Sequence, residues 1–249
     1  MRLKNILLAM IGCLPAASFA QKAADSLAIR GFLEKVQQAY DKSGYLAFDI
    51  KYLYANKTTP GQYIDSVTGT MQMDKKRSRT VIDGLETVIT DRYAIRVDNE
   101  EKLIYLGKPS LKSTADPVGM IEAILYSDKG MKASLQQENG GSALQVKFPP
   151  GGMYTTITII SDDKTGYLQQ VKYELQTTDL VTEDMLEKPN SNGRYQSQGN
   201  VEVLFSNYKQ NAFTDSVFNE TQYFRREGRD YLPSLRFTDY RIFLASSNL

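Results

Sequence analysis

The stretch from residue 66 to residue 106 restricts the fold of this chain more than any other part of the sequence. At its start, apolar or small residues at positions 67, 69, 71 and 73 alternate with polar residues at 68, 70 and 72. A period of two is typical of a β-strand with one buried face and one solvated face. Turn-forming pairs then separate the next runs, at Asp83-Gly84, Asp91-Arg92 and Asp98-Asn99. Such pairs close short hairpins, so the stretch predicts a sequential antiparallel meander.

Strands are also predicted on both sides of this meander. Residues 45–54 place alternate apolar side chains on one face of a long strand, namely Leu46, Phe48, Ile50, Tyr52 and Tyr54. The second half of the chain repeats the alternation between turns, at residues 132–137, 143–148, 154–161, 167–176 and 200–208. The tail from residue 223 to 249 adds further strands, of which 236–244 is the clearest. The fold class we predict is therefore mainly β, with an antiparallel sheet.

Two helices are expected. Residues 25–40 carry apolar side chains near helical spacing, with Asp25 or Ser26 placed to cap the first turn. A shorter helix is predicted at residues 116–126, where Pro117 suits the first turn of a helix. Residues 177–199 are rich in polar residues and Gly, and we expect them to form a mobile, exposed insertion, the alternative being an active-site lid.

The first twenty residues predict a signal peptide. A basic start at residues 1–4 precedes an apolar run at 6–14 and the small-x-small sequence Ser18-Phe19-Ala20. We expect cleavage before Gln21, which leaves residues 21–249 as a single domain in the periplasm. In an alternative interpretation, residues 10–13 form a lipobox and Cys13 is lipidated. An uncleaved anchor is the weaker alternative, because a stable membrane span needs roughly 20 apolar residues.

Composition excludes several classes of site. The chain has no histidine and one cysteine, Cys13, which lies inside the predicted signal. Ser-His-Asp, Cys-His and histidine-metal sites are thereby excluded. Thirty basic residues against twenty-nine acidic ones give a formal charge of +1, so no overall field favours nucleic acid as a partner.

The charged clusters indicate surface turns more than chemistry. Three carboxylate pairs, Asp162-Asp163, Glu100-Glu101 and Glu183-Asp184, fall where turns or loops are predicted. Adjacent residues on a strand point to opposite faces, so these pairs favour a non-catalytic protein without metal or cofactor. A hydrolase built on carboxylates alone is the competing hypothesis. The basic cluster at 75–79 is interpreted as a solubilising hairpin tip, with a phosphate or an acidic partner as the alternative.

Three segments resemble the LolA-like periplasmic carriers of outer-membrane lipoproteins. They are SVTGTMQMDKK at 66–76, ETVITDRYAIRVDNEEKLIYLG at 86–107 and SNYKQNAFTDSVF at 206–218. Together with the first helix and strand, they extend the resemblance over most of residues 25–220. The resemblance implies an incomplete β-barrel closed by helices around an apolar cavity. It also implies that the helix at 116–126 lies across the mouth of the half-barrel, either as a movable lid or as a plug.

The inward strand faces are the candidate binding site. We expect a cavity that binds lipoprotein acyl chains or another lipid, because many strand faces point inward while only two helices are available to cover them. An ordinary filled core is the alternative. The predicted lining is Phe48, Ile50, Tyr52, Met71, Met73, Ile95, Val146, Phe148, Ile157, Val171, Tyr173, Val203 and Phe205, with Met120, Ile121 and Leu125 on the lid. The expected partners are lipid, acylated protein or envelope proteins. A non-catalytic envelope adaptor that binds protein through its sheet edge or through 177–199 is the competing function.

Overall fold

A computed structural model describes residues 14–74, 76–109, 117–125, 130–138, 141–179, 181, 185–186 and 194–246, without the side chains of 14–25, 117, 118, 120 and 179. Its first element is helix α1, Leu14–Asp41. This helix begins well before residue 25, where the sequence predicted its start. The intervening residues are rich in alanine, the strongest helix former. None of the described helices is long and apolar enough to cross a membrane.

The first meander follows α1 as predicted. Its strands are β1 (Leu46–Asn56), β2 (Tyr63–Met73), β3 (Ser78–Ile82), β4 (Leu85–Ile89), β5 (Ala94–Asp98) and β6 (Leu103–Gly107). Each strand pairs antiparallel with the next. The β3–β4 turn consists of Asp83 and Gly84, with φ of +48° and +76°. Two successive positive φ angles are typical of the tight hairpin turn that the Asp-Gly pair predicted.

Helix α2, Pro117–Leu125, leads into the second meander. Its strands are β7 (Lys132–Glu138), β8 (Gly141–Lys147), β9 (Tyr154–Asp162), β10 (Leu168–Gln176) and β11 (Gln198–Gln210). The last strand, β11, returns to pair antiparallel with β1, so β1 lies between β2 and β11. The two meanders therefore form one continuous sheet.

Three short strands complete the described chain: β12 (Phe224–Glu227), β13 (Asp230–Pro233) and β14 (Arg241–Leu244). β12 and β13 form a separate hairpin, whereas β14 joins the large sheet beside β6. The described part of this sheet has the order β14-β6-β5-β4-β3-β2-β1-β11-β10-β9-β8-β7. Every pairing in it is antiparallel except β14 with β6, which is parallel. The predicted fold class, an incomplete barrel of curved antiparallel sheet with an N-terminal helix and a short second helix, is confirmed.

The concave face of the sheet holds the main core. Phe32, Val36 and Tyr40 of α1 pack against buried residues of both meanders, which include Leu46, Phe48, Ile50, Leu144, Val146, Ile157 and Ile159. Lys35 and Ser142 fix α1 further, because both donate hydrogen bonds to the Asp163 carboxylate, at 3.1 and 2.7 Å. Ser43 donates to the carbonyl oxygen of Ala39 at the end of the helix.

A second core lies on the convex face of the first meander. Its sheet residues are Val88, Ile95, Val97, Ile104 and Leu106, and the C-terminal segment covers them with Phe218, Tyr223, Phe224 and Phe237. Glu86 lies at the edge of this core and accepts hydrogen bonds from Tyr223 and from Arg79, the latter at 2.6 Å. The convex face of β4, β5 and β6 is therefore buried, which the sequence did not predict.

The 177–199 insertion was expected to be exposed, and its described residues are mixed: Met185, Arg194 and Ser197 are exposed, whereas others are buried. Leu186 and Tyr195 are buried against Tyr54 of β1. The Tyr54 hydroxyl hydrogen-bonds to Thr177, which is fully buried. Gly199 lets the two segments approach this closely, since a Cβ at that position would overlap the Tyr54 ring. The part of the insertion that the structure describes packs over one end of the concave face.

Candidate functional site

An apolar cavity of about 200 Å³ lies on the concave face of the sheet. Its floor consists of β1, β2, β3, β9, β10 and β11, and helices α1 and α2 contribute one side and the roof. The lining residues are Tyr40, Phe48, Ile50, Tyr52, Met71, Met73, Thr80, Ile121, Ile124, Ile159, Leu168, Val171, Tyr173, Val203 and Phe205. None of these side chains is charged, so the cavity suits a neutral, apolar guest.

Helix α2 separates the cavity from an outer groove. Ile121 and Ile124, three residues apart on one helix face, line the cavity. Glu122 and Leu125 line an outer groove of about 850 Å³ between α1, α2 and β7. Ile121 is the one side chain of α2, among those described, that is buried. A short helix with a single buried anchor therefore separates the two spaces.

Two irregularities in the strands place side chains on the concave face that simple alternation would turn away. The pairing of β1 with β11 shifts register around Asn207, whose φ is +56°. The shift puts Phe205 and Tyr208 on the same face, and both rings contact Phe48. A similar shift in β10 puts Leu168 on the face of Val171.

One end of the cavity is closed by three tyrosines whose hydroxyls all have partners. Tyr40 and Tyr208 share a hydrogen bond of 3.0 Å, and Tyr208 also donates to the Leu168 carbonyl oxygen at 2.7 Å. Tyr167 stacks on Tyr208 with a centroid separation of 4.4 Å, and its hydroxyl lies 2.6 Å from Ser43 Oγ. Burial raises the pKa of Tyr40 to about 12, and the pKa of Tyr208 is also raised, mainly by burial.

The structure brings most of the predicted lining together. The predicted residues that surround the cavity are Phe48, Ile50, Tyr52, Met71, Met73, Val171, Tyr173, Val203 and Phe205, with Ile121 above them. Leu125 lines the outer groove instead. The side chain of Met120 lies outside the described residues. Whether these side chains bind a ligand stays a prediction.

Four predicted lining residues lie elsewhere. Ile95 is on the convex face. It pairs with Val88, which pairs with Arg79, and directly paired residues share a face. Arg79 is next to Thr80, which lines the cavity, so Arg79 and Ile95 lie on the other face. Its burial comes from the C-terminal segment, which the alternation of β5 does not reveal. Val146, Ile157 and Phe148 are on the concave face but pack in the main core away from the cavity.

Five lining residues were missed: Tyr40, Thr80, Ile124, Ile159 and Leu168. Ile159 continues the alternation of Ile157, so its position in the sequence was sufficient to find it. Leu168 was hidden by the register shift in β10, and Tyr40 was assigned only to the end of α1. Thr80 pairs with Met71 across β2 and β3, which only the register shows.

Several of the charged clusters have structural roles. Asp162 accepts hydrogen bonds from the Lys164 and Thr165 amides in a turn, and these lower its pKa. Arg77 pairs with Asp74 and Asp215, and Arg79 pairs with Glu86, so these two cations of the basic cluster are occupied. Lys75 and the Glu183-Asp184 pair lie outside the described residues. Within the described part of the chain, no group of three or more acidic residues could hold a metal.

Solved structures with a similar fold come from several bacteria. A conserved protein from Thermus thermophilus matches with a TM-score of 0.48 and 8% identity, over 87% of this chain and 99% of its own. A LolA superfamily protein from Nitrosomonas europaea matches with a TM-score of 0.36 and 10% identity, over 77% and 97%. The Mycobacterium tuberculosis lipoprotein LppX matches with a TM-score of 0.31 and 13% identity, over 75% and 98%.

One of these neighbours belongs to the LolA superfamily, the group that segments of the sequence resemble. No protein-family model matches the chain. No curated protein sequence matches it either.

Proposed function

We propose that this protein is a non-catalytic carrier that binds a lipid-like ligand, such as the acyl chains of a lipoprotein, on the concave face of its half-barrel. The observation that carries the proposal is the cavity of about 200 Å³ whose lining has no charged side chain. Burying a methylene group in such a space is favourable by about 0.8 kcal/mol. The cavity therefore supplies affinity for an alkyl chain without any ion pair.

The size of the cavity indicates a closed form of the protein. An apolar cavity of roughly 150 Å³ holds a molecule of the size of benzene, whereas ligand pockets commonly measure about 300–1,000 Å³. At about 200 Å³ the cavity holds only a short alkyl segment. Displacing α2 would join it to the outer groove of about 850 Å³, because side chains of α2 line both spaces. We infer that a long acyl chain enters by moving α2, which then acts as the lid.

Native mass spectrometry of protein purified from its own envelope fraction tests this function. We expect an acyl-bearing adduct on the wild-type protein. Met71 lines the cavity and is half-buried, so Met71→Trp should fill the space and remove the adduct while the protein stays folded.

Thr70→Trp is the matched control. Thr70 is the preceding residue of β2, and it is exposed on the opposite face. The control should retain the adduct. A wild-type protein that emerges empty and binds no added acyl ligand contradicts the proposal. So does a Met71→Trp variant that binds as well as the control.

We also propose that the mature chain begins at Gln21 in the periplasm. Among the α1 side chains that the structure describes, those that pack in the main core begin at Ile29, beyond the proposed cleavage site. Intact mass of the protein from the envelope decides the point. A mature chain that begins at Cys13 with an acyl group, lost in Cys13→Ala, contradicts it and makes the protein a lipoprotein.

One observation favours the adaptor as a second candidate function. β14 lies at an edge of the described sheet and exposes 56% of Phe243 and 47% of Leu244. Such an edge can accept an extended segment of a partner protein as an added strand. The adaptor predicts that Phe243→Asp abolishes recovery of a stoichiometric envelope partner while the acyl adduct is unaffected. Recovery that is unchanged in the variant removes this candidate.

A further inference from the structure

The two ends of the cavity differ in how their hydroxyl groups are satisfied. At the α1 end, the hydroxyls of Tyr40, Tyr208 and Tyr167 all have hydrogen-bond partners. At the other end, Tyr52 and Tyr173 also line the cavity, yet neither hydroxyl has a hydrogen bond within the described residues. Within the described part of the chain, these two hydroxyls are therefore available to donate to a guest in the cavity.

The hydroxyls of Tyr52 and Tyr173 lie at the same end of the cavity, far from the end that the other three tyrosines close. Tyr52 pairs with Val203, Val203 pairs with Val171, and Tyr173 is two residues beyond Val171 on the same face. Tyr173 also contacts the Tyr154 ring, with centroids 5.7 Å apart. Along β1, Tyr52 follows Phe48 by four residues, which corresponds to about 14 Å at a rise of about 3.4 Å per residue. The cavity is thus an apolar passage with polar hydroxyls at one end.

Among the described residues, no cation lines the cavity at these hydroxyls. The side chains lining the cavity are uncharged. The charged residues nearest along the strands, Lys51 and Lys172, alternate with Tyr52 and Tyr173 and point to the opposite face. Burial raises the pKa of Tyr52 and raises that of Tyr173 to about 12, so both hydroxyls stay protonated at neutral pH and can donate. A carboxylate buried there would lack a counter-ion, whereas an ester carbonyl needs only a donor.

We infer that Tyr52 and Tyr173 form a subsite for the neutral carbonyl of an ester-linked or amide-linked acyl chain, and that this subsite discriminates against free fatty acids. The inference rests on the proposed function and specifies its ligand class. The alkyl chain extends from the subsite towards Phe48 and Tyr40. The carrier would therefore select acyl groups attached to a larger molecule over the products of their hydrolysis.

Titration calorimetry of the full mature protein tests the subsite with two probes, lauric acid and its glycerol monoester, below their micelle concentrations at neutral pH. We expect the ester to bind at least about tenfold more tightly than the acid, because only the acid must bury a charge. Tyr52→Phe and Tyr173→Phe should each weaken binding of the ester by about three- to tenfold, the contribution of one hydrogen bond. Binding of the acid should change little in either variant.

Thr80→Val is the matched control. Thr80 lines the same cavity but pairs with Met71, near Phe48 and away from the two tyrosines. Its removal should leave the preference for the ester unchanged. Unchanged thermal unfolding shows that the Phe variants are folded.

The outcomes separate the two proposals. Equal affinity for acid and ester, or a loss of preference as large in Thr80→Val as in the Phe variants, overturns the subsite while the carrier function stands. Failure of both probes to bind the wild-type protein overturns the carrier function and the subsite with it.

Discussion

At the scale of single residues, the tyrosines of the concave face link stability to alkaline pH. Burial raises the pKa of Tyr40 from its usual 10.0 to about 12. Between these values the unfolded chain ionises at this position and the folded chain does not. The stability that the neutral phenol contributes is therefore complete below pH 10 and is lost as the pH rises towards 12.

Tyr40→Phe should reduce the loss of stability that occurs as the pH rises above 10. The variant keeps the ring but loses the hydrogen bond to Tyr208, so we expect it to be less stable at neutral pH by about 1 kcal/mol. Urea unfolding followed by circular dichroism as a function of pH measures both effects. Tyr105→Phe, at a half-buried ring of β6 with no side-chain hydrogen bond to the described residues, is the control. A Tyr40 variant that keeps the full alkaline dependence would show that this phenol does not cause it.

Glu86 is one of the residues that connect the C-terminal segment to the sheet. Its burial raises its pKa, but hydrogen bonds from Tyr223 and Arg79 outweigh burial, and the net pKa is lowered. Glu86→Gln leaves the Arg79 guanidinium without its carboxylate, and we expect a loss of about 2 kcal/mol at neutral pH.

The contribution of Glu86 has the opposite pH dependence from that of Tyr40. A carboxylate with a lowered folded pKa stabilises above its unfolded pKa, and this contribution is lost as the pH falls through the folded value. The stability difference between wild type and Glu86→Gln should therefore shrink in acid. Glu174→Gln, at an exposed carboxylate of β10, should show no such difference. An equal effect of both substitutions would contradict the role of Glu86.

At the scale of elements, α2 is expected to open independently of the sheet. Ile121 is 3% exposed and is its buried anchor among the described side chains. Ile121→Ala should lower the free energy of local opening by about 2 kcal/mol, which is about thirtyfold in the exchange rate of the α2 amides. Hydrogen exchange read by mass spectrometry over residues 117–125 measures it.

Two comparisons make the α2 experiment decisive. Ala123→Ser changes an exposed position of the same helix and should leave exchange unaltered. The amides of β1 and β11, which lie inside the sheet, should stay protected in both variants. If their protection falls together with that of α2, then α2 is a plug of the core and not a lid.

The sequence predicted the elements better than it predicted their faces. Asp83-Gly84 and the alternation of β2 were sufficient for the first meander, because both are local properties of the chain. Ile95 was assigned to the wrong face, because the alternation of β5 shows that Ile95 and Val97 share a buried face but not on which side of the sheet that face lies. The register shift at Leu168 was also beyond prediction, because it is set by the partner strand. The register shift at Asn207 did leave a signal in the sequence, because an asparagine inside a strand is a residue that tolerates positive φ.

At the scale of the whole molecule, two cores share one sheet. The main core and the convex core lie on opposite faces, and the first meander contributes to both. Ile157→Ala in the main core and Ile95→Ala in the convex core should each lower the free energy of unfolding by about 2–5 kcal/mol, because each leaves a cavity. We expect each to shift one common unfolding transition, as the predicted single domain requires. Calorimetry that splits into two transitions, with each substitution moving only one, would show two domains.

The pairing of β1 with β11 has a consequence for how the chain reaches this fold. The first strand meets its second neighbour only after the whole second meander has been synthesised, since Tyr52 pairs with Val203. Contacts so distant in sequence form slowly. During synthesis β1 has one bare edge, with Phe48 and Ile50 uncovered, and such an edge invites pairing with other chains. Refolding yield should therefore fall as protein concentration rises, and a chaperone that binds extended apolar segments should restore it.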